Sequence, residues 1–168
     1  MNDKKSFQIL FLCTGNICRS PMAEGLLGDA LDLRVASMAR VVSAGVAAAE
    51  GYPASEHAVT ACAEKGIDIS KHRSQPLTRA LLEATDLLLA MEQHHVHAAR
   101  SMSPALESRM HLLSQFAAGD EGAAPLGVAD PIGGDLDEYR AARASIEHYI
   151  NQALPRITAA IEESVVES

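Results

Sequence analysis

The sequence predicts an α/β fold in which helices cover both faces of a central four-stranded parallel sheet. Four short runs, at 9–12, 40–44, 87–91 and 110–113, have the composition of buried strands, and helix-compatible sequence separates them. Their apolar residues are consecutive instead of alternating, which is typical of strands that are buried on both faces. We therefore expect a three-layer α/β/α architecture and one domain over residues 1–168.

Composition and charge narrow the classes of function. Lys and Arg total 14 against 22 Asp and Glu, so the net charge is −8, and no basic run offers a surface for nucleic acid. The longest apolar run, at 86–91, is far shorter than the roughly 20 residues that a membrane helix needs. Three cysteines and an N-terminus without a signal-peptide layout favour a reduced, cytoplasmic protein. We expect neither a nucleic-acid nor a membrane partner, and the oligomeric state stays open.

The first predicted strand leads into the most informative segment of the chain. Cys13 follows the end of this strand, and Arg19 comes after five further residues. Ligands of parallel sheets bind where the strands end, and a short loop entering a helix directs backbone N–H groups and the helix dipole at one point. Ser20 and Pro21 fit a helix N-cap with proline at the first helical position. The segment therefore predicts a phosphate-binding loop with a thiol at its entrance.

Cys13 and Arg19 are the candidate reactive groups of this loop. Helix N-termini and nearby cations stabilise a thiolate, so Cys13 can act as a nucleophile without a histidine base. The planar guanidinium of Arg19 can hold two phosphoryl oxygens while the loop amides hold the third. An isolated cysteine is more often inert packing, and this interpretation suits Cys62 in its probable helix. For Cys18, packing and a disulfide with Cys13 upon oxidation both remain open.

The first helix contains two glycines that need an explanation. Gly25 and Gly28 each cost about 1 kcal/mol in a helix relative to alanine. We interpret them as positions of close packing against the sheet.

The last long segment predicts a helix. Asp135 and Glu138 form an Asp-x-x-Glu start signal, and apolar residues then recur at steps of three or four. Pro155 interrupts this pattern, so we expect a kink or a break there. The preceding residues 117–129 have little periodicity and predict a loop that delivers Asp130.

These residues resemble the low-molecular-weight protein tyrosine phosphatase family over nearly the whole chain. That family has a Cys-x5-Arg-Ser loop near its N-terminus and an Asp-Pro late in the chain. The matching stretches are CTGNICRSPMAE at 13–24, SAG at 43–45, GIDISKHRSQPL at 66–77, LLAM at 88–91 and DPIGG at 130–134. Cys-x5-Arg alone is weak evidence, whereas its position after the first strand, together with the late Asp-Pro, is specific.

The resemblance implies two-step hydrolysis of phosphate monoesters on protein through a phosphocysteine, and this chemistry requires no metal or other cofactor. Cys13 would attack phosphorus, Arg19 would bind phosphoryl oxygens, and Asp130 would protonate the leaving group and then activate water. The implied substrate-binding residues are Thr14, Gly15, Asn16, Ile17 and Cys18. The implied supporting residues, which hydrogen-bond around the loop, are Ser20, Ser43 and His72, together with Asn16. An ordinary structural role is equally compatible with His72.

Pro131 restricts the backbone of the residue before it, which is Asp130. Proline restricts the preceding residue to extended dihedrals, which would present the Asp130 carboxylate across the mouth of the loop. Outside this context, an Asp-Pro pair indicates a plain turn.

The substrate is open between phosphotyrosine and phosphoarginine. Many family members have aromatic walls after Ser-Ala-Gly and after Asp-Pro, whereas here Tyr52 is the candidate replacement and Ile132 follows Asp-Pro. These features also resemble the bacterial protein-arginine phosphatase branch. Ile17 favours phosphotyrosine, because that branch has threonine at this position and an aliphatic side chain suits an aryl ester. We predict a phosphotyrosine phosphatase, with a protein-arginine phosphatase as the alternative.

Three other interpretations are weaker. Thioredoxin-coupled arsenate reductases share the fold and the loop but use two further downstream cysteines, which this sequence lacks. A phosphopeptide-binding module is expected to lose the acid or the thiol, and both are present here. His94 and His97 share a helix face and could suggest a metal, but we interpret them, with His95, as a solvated surface because no third ligand is apparent.

Overall fold

The computed structural model describes residues 6–119 and 127–166, and it contains the predicted parallel sheet. The strands are β1 (Phe7–Cys13), β2 (Ala39–Gly45), β3 (Leu87–Ala90) and β4 (Met110–Leu112). Their order across the sheet is β2-β1-β3-β4, and every neighbouring pair is parallel. The four predicted runs are therefore confirmed as strands, with ends that differ by one or two residues.

Helices cover both faces of this sheet, as predicted. In the described residues they are α1 (Arg19–Ala30), α2 (Leu33–Ala36), α3 (Glu56–Ala63), α4 (Arg79–Glu83), α5 (Gln93–Met102), a 3-10 helix (Pro104–Arg109), α6 (Leu113–Ala118) and α7 (Leu136–Val166). Ile9 and Phe11 of β1 pack in one apolar cluster, with α1, α3 and α7. Leu10 and Leu12 pack in a second cluster on the opposite face. Successive strand residues point to opposite faces, which is why the strand sequence is apolar throughout.

Helix α1 begins two residues earlier than the sequence indicated. Its N-cap is Cys18, so Ser20 lies within the first turn and the N-cap prediction for Ser20 is wrong. The Ser20 hydroxyl is instead engaged by the side chains of Cys13 and Asn16. Pro21 is tolerated in the first turn because the amide that it lacks has no partner within the helix.

The glycines of α1 are only partly explained by close packing. A Cβ on Gly25 would lie 2.7 Å from Ile69 Cγ2 and 3.0 Å from Ile67 Cγ2. The tight neighbour is thus the segment that follows α3, and not the sheet. A Cβ on Gly28 would meet nothing within 4 Å, so the packing prediction is wrong at that position.

Helix α7 follows the predicted pattern. The Asp135 and Glu138 side chains each accept the other residue's backbone N–H, at 3.0 and 2.8 Å, which forms the expected start signal. The helix continues through Pro155, so a break there is wrong, whereas a kink stays a prediction. The predicted loop at 117–129 begins later, because α6 extends to Ala118; residues 120–126 lie outside the described residues.

Within the described residues, no helix is both long enough and apolar enough to cross a membrane.

Candidate active site

The loop between β1 and α1 turns its carbonyl groups outward. The carbonyls of Cys13 and Thr14 accept the backbone N–H groups of Val46 and Ala47, each at 2.9 Å. The carbonyls of Asn16 and Ile17 accept His72 Nε2 at 2.7 Å and Ser55 N at 2.8 Å. A peptide unit is planar, and its C=O and N–H point in opposite directions. The N–H groups of residues 14, 15, 17 and 18 therefore point into the loop.

Two backbone features at the sheet edge allow this tight loop. Asn16 has φ 56°, which is the left-handed region that asparagine tolerates better than most residues. Gly45 at the end of β2 lies against the loop, and a Cβ there would be 2.4 Å from Thr14 O and 2.9 Å from Asn16 N. Glycine at 45 is thus required by the close approach of two backbones.

Asn16 joins most of the predicted supporting residues. Its Nδ2 donates to Ser20 Oγ at 2.8 Å and to Ser43 Oγ at 2.9 Å, while its Oδ1 accepts Gln75 N at 2.9 Å. Ser43 in turn donates to Glu24. Asn16 is fully buried, so each of these bonds replaces one that water would otherwise make. Gln75 and Glu24 are members of this network that the sequence reasoning did not include.

The Cys13 thiol lies beside a hydroxyl donor. Its Sγ is 2.9 Å from Ser20 Oγ. Ser20 accepts a hydrogen bond from Asn16, so its own hydrogen can be donated either to the sulfur at 2.9 Å or to the Ala44 carbonyl at 3.4 Å, and the sulfur is the nearer acceptor. A hydroxyl donated to sulfur stabilises the thiolate more than the thiol, because hydrogen bonds to an ionised acceptor are the stronger ones.

Arg19 is held by Glu92 and by the backbone of Val128, and not by the Asn16 network. Its guanidinium is 1% exposed, and Nη1 donates to Glu92 Oε2 at 2.6 Å and to Val128 O at 2.8 Å. Burial works against the charged form of Glu92, but the hydrogen bond and charge of Arg19 hold the pKa of this carboxyl below its usual range. Glu92 is a further residue that the sequence reasoning missed. It fixes the plane of the guanidinium, which determines where the remaining N–H groups point.

Asp130 reaches the same arginine. Its Oδ2 lies 3.2 Å from Arg19 Nη2, and its side chain remains 36% exposed. Its Oδ1 accepts the backbone N–H of Ile132 at 3.1 Å. The carboxylate thus lies beside the Arg19 guanidinium, and solvent can reach it.

The Cys18 thiol lies beside two hydroxyl groups, one of them on helix α7. Its Sγ is 3.2 Å from Tyr139 Oη and 3.5 Å from Ser55 Oγ. Burial raises the pKa of the Cys18 thiol, despite both hydroxyls. The three cysteines of the chain are free thiols. Cys62 is fully buried, which raises its pKa to about 11, so the packing interpretation of Cys62 is confirmed.

The prediction that His95 lies on a solvated surface is wrong. His94 and His97 are exposed, whereas His95 is fully buried at the start of α5. Its Nε2 lies 2.8 Å from Thr14 Oγ1, and its Nδ1 accepts Glu92 N at 3.1 Å. Helical periodicity placed His95 beside two exposed histidines, and no local signal indicated the loop 81 residues earlier.

One group of side chains has the composition of a metal site. Glu92, His94 and His95 each offer one ligand atom, and these atoms lie within 4.8 Å of one another. However, the Glu92 carboxylate is bound to Arg19, and both ring nitrogens of His95 take part in hydrogen bonds. A metal would have to break these contacts, so the arrangement favours support of the loop.

The buried position of His95 predicts a pH-dependent stability. Burial, with smaller contributions from the charges of His94 and Arg19, lowers the pKa of His95 from 6.5 to about 4. The unfolded chain therefore binds this proton first as the pH falls, and stability is lost between about pH 6.5 and 4. We expect the native protein to lose about 2 kcal/mol between pH 7 and pH 5 from this group.

Urea unfolding at the two pH values, for the native chain and for His95→Gln, measures that contribution. Glutamine has no titrating group, so the variant should lose less stability than the native chain over this range. An equal loss in both proteins would contradict the assignment.

An apolar cavity of about 740 Å³ opens beside the loop. Gly15 and Ile17 form its loop side, and Tyr52 and Val59 lie among its other walls. Tyr52, 61% exposed, is at the rim, on the segment after Ser-Ala-Gly. The phosphate-sized loop and an apolar cavity of ligand size thus adjoin each other through Ile17.

The fold and this site define a class of protein. A parallel sheet whose first strand ends in a loop of inward N–H groups, with a thiol, a buried guanidinium and a facing carboxylate, is the arrangement of a cysteine-dependent phosphatase. Residues 8–165 match the model of the family "Low molecular weight phosphotyrosine protein phosphatase". The chain belongs to this family, which confirms the resemblance noted in the sequence.

Proteins similar to this chain include both a protein-arginine phosphatase and a probable protein-tyrosine phosphatase. The chain is 38% identical to a protein-arginine-phosphatase of Geobacillus stearothermophilus over 151 residues, covering 90% of this chain and 96% of the relative. It is also 38% identical to the probable low molecular weight protein-tyrosine-phosphatase EpsP of Ralstonia nicotianae, with the same coverage. The solved YwlE arginine phosphatase of Geobacillus stearothermophilus superposes with a TM-score of 0.81 at 38% identity, covering 94% of this chain and 96% of that one.

These findings bear on the alternatives. The relatives above are named as protein-arginine or protein-tyrosine phosphatases. The chain is therefore a cysteine-dependent protein phosphatase. The arsenate reductase interpretation is not supported. The equal identities to an arginine and a tyrosine phosphatase leave the substrate to be argued from the site.

Proposed function

We propose that the chain hydrolyses phosphotyrosine on proteins, with Cys13 as nucleophile, Arg19 as phosphoryl-binding residue and Asp130 as general acid and base. The Cys13 sulfur forms a bond to phosphorus as the tyrosine oxygen leaves, and Asp130 gives that oxygen its proton. The unprotonated Asp130 then takes a proton from the water that releases phosphate from sulfur. A tyrosine oxygen has a pKa of about 10, so its departure at neutral pH needs such an acid.

The loop geometry supports the binding part of this proposal. The four inward N–H groups face the position where a phosphoryl group would carry its charge. Arg19 has five N–H donors, its hydrogen bonds to Glu92 and Val128 use two of them, and Asp130 lies 3.2 Å from Nη2. Thr14, Gly15, Asn16, Ile17 and Cys18 stay predicted substrate-binding residues; Ser20, Ser43 and His72 stay predicted supporting residues.

The observation that carries the choice of phosphotyrosine is Ile17 on the wall of the apolar cavity. A phenyl ring buries apolar surface there at roughly 25 cal/mol per Å². A phosphoarginine side chain would bring polar N–H groups against the aliphatic Ile17, where they find no acceptor and lose hydrogen bonds to water. Tyr52 at the rim supplies one aromatic wall, in place of those that many family members have.

Protein-arginine phosphatase is the second candidate. The likeness to the arginine phosphatase of Geobacillus stearothermophilus supports it. So does the residue after Asp-Pro, which is Ile132 and not an aromatic residue. The catalytic residues would be the same, so only the walls of the site distinguish the two substrates.

The substitution Ile17→Thr tests the choice between phosphotyrosine and phosphoarginine as the substrate. One peptide sequence, carrying either phosphotyrosine or phosphoarginine, is hydrolysed by the native chain and by the variant. We expect the native chain to have the higher kcat/KM for phosphotyrosine. We expect Ile17→Thr to shift the ratio toward phosphoarginine by about 10-fold or more, because a hydroxyl can then accept a guanidinium N–H.

Val59→Thr is the matched control, because Val59 lines the same cavity outside the loop and the change likewise introduces a threonine hydroxyl. It should leave the ratio close to the native value. A native preference for phosphoarginine would overturn the substrate proposal and leave the cysteine mechanism intact.

We propose a single phosphatase domain, because residues 8–165 match one family model. We propose a reducing compartment such as the cytoplasm, because three free thiols in one chain suit a location where disulfides do not form.

A further inference from the structure

The first turn of helix α5 contacts both ends of the loop. Glu92, the N-cap of α5, binds the Arg19 guanidinium at the end of the loop where α1 begins. His95, three residues later, binds the Thr14 hydroxyl beside Cys13 at the other end. Residues three apart lie on the same side of a helix, so one turn reaches both points.

The hydrogen bonds of His95 determine its tautomer. A backbone N–H can only donate, so Nδ1 must accept the bond from Glu92 N. The ring proton is therefore on Nε2, which donates to Thr14 Oγ1 at 2.8 Å. The low pKa of this buried ring agrees with a neutral imidazole throughout the physiological range. His95 is thus a fixed donor to the loop.

Thr14 transmits this contact to the phosphate-facing backbone. The Cys13 carbonyl is tied to Val46 N and the Thr14 carbonyl to Ala47 N, so the N–H groups of Thr14 and Gly15 point inward. Gly15 has no side chain, so the Thr14 hydroxyl is the side-chain group through which these two amides can be held. It is bound by His95, which is fully buried.

We propose that His95 is a positioning residue of the phosphate loop, which acts through the Thr14 hydroxyl to hold the first two inward N–H groups in place. The inference rests on the proposed function, because it assumes that these amides bind the phosphoryl group. Helix capping alone does not account for histidine here. A capping box needs one acceptor at this position, and glutamate or glutamine supplies it without reaching Thr14 from a second nitrogen.

Two substitutions separate the cap from the loop contact. In His95→Asn, the amide oxygen can stand where Nδ1 stands and keep the bond from Glu92 N, while the contact to Thr14 is lost. In Thr14→Val, the hydroxyl is removed at nearly constant volume and the cap is untouched. We expect both to weaken binding of inorganic phosphate about 10-fold and to lower kcat/KM for an aryl phosphate by a similar factor.

Conservative variants and a double variant distinguish positioning from general destabilisation. Thr14→Ser keeps the hydroxyl and should restore phosphate affinity. The double variant His95→Asn/Thr14→Val should bind phosphate no more weakly than the weaker single variant, because both remove the same contact. His97→Asn makes the same change at an exposed position of α5 and should leave phosphate affinity unchanged.

Phosphate affinity is measured by calorimetric titration of the folded proteins well below their melting temperatures. Turnover is measured separately. Affinities of both single variants within twofold of the native value would overturn the proposal, as would full additivity in the double variant. If His95→Asn does not fold, Thr14→Val and Thr14→Ser decide the question. A native chain that binds phosphate but hydrolyses no aryl phosphate would contradict the proposed function, and the affinity comparison would still stand.

Discussion

Cys13→Ser is expected to lower hydrolysis of a phosphotyrosine peptide at least about 10⁴-fold, while inorganic phosphate still binds. The Cys13 sulfur is the proposed nucleophile, and Ser20 Oγ, a hydroxyl and not a base, lies 2.9 Å from it. Ser20 offers a serine hydroxyl at position 13 no base to take its proton, and a hydroxyl that is not activated by a base is a weak nucleophile. The loop amides and Arg19 would be unchanged, so the binding of phosphate should survive the loss of turnover.

Phosphate release and phosphate titration are both measured on this variant. Cys62→Ala is the control, since Cys62 is a buried thiol in α3. It should retain catalysis even if its stability falls. Turnover by Cys13→Ser above a hundredth of the native rate would mean that the nucleophile lies elsewhere.

Asp130→Asn is expected to reduce kcat for phosphotyrosine about 10²- to 10⁴-fold. The amide keeps the shape of the carboxyl and can still accept the Ile132 N–H, but it cannot give a proton to the leaving oxygen. The loss should shrink for an aryl phosphate with a strongly electron-withdrawing ring, because that leaving group departs without protonation. Phosphate binding should be unchanged or tighter, since a negative charge 3.2 Å from Arg19 is removed.

The measurement is kcat for a series of aryl phosphates of differing leaving-group basicity. Asp137→Asn, an exposed acid in α7, is the matched control and should leave all rates near native. An equal loss for strongly and weakly basic leaving groups would show that Asp130 is not the acid.

The fold was predictable because its signals are local. Each strand is a short apolar run. Asp135 and Glu138, three residues apart, indicate the start of α7. The ends of elements were less predictable. Ser20 has the residue type of an N-cap, but Cys13 and Asn16 engage its hydroxyl, and this competition is invisible in the sequence.

The candidate site was predictable where its residues are adjacent in the chain. Cys13 and Arg19 belong to one loop, so their spacing carries the geometry. Glu92 and His95 were missed because they reach the loop from more than 70 residues away. Their local surroundings suggest an exposed helix start, and only the packing of α5 beside the loop gives them a role.

By itself the sequence determined the four strands, the loop after the first of them, and the thiol and arginine in that loop, because these follow from chain-local spacing and strand ends. The distant Asp130 carboxyl was indicated only by the resemblance to a family. The tertiary structure decided which side chains hold that loop: Asn16 with its serines on one side, and Glu92 and His95 on the other. The physical reason is that buried donors and acceptors must find partners, and the partner within reach depends on how distant segments pack.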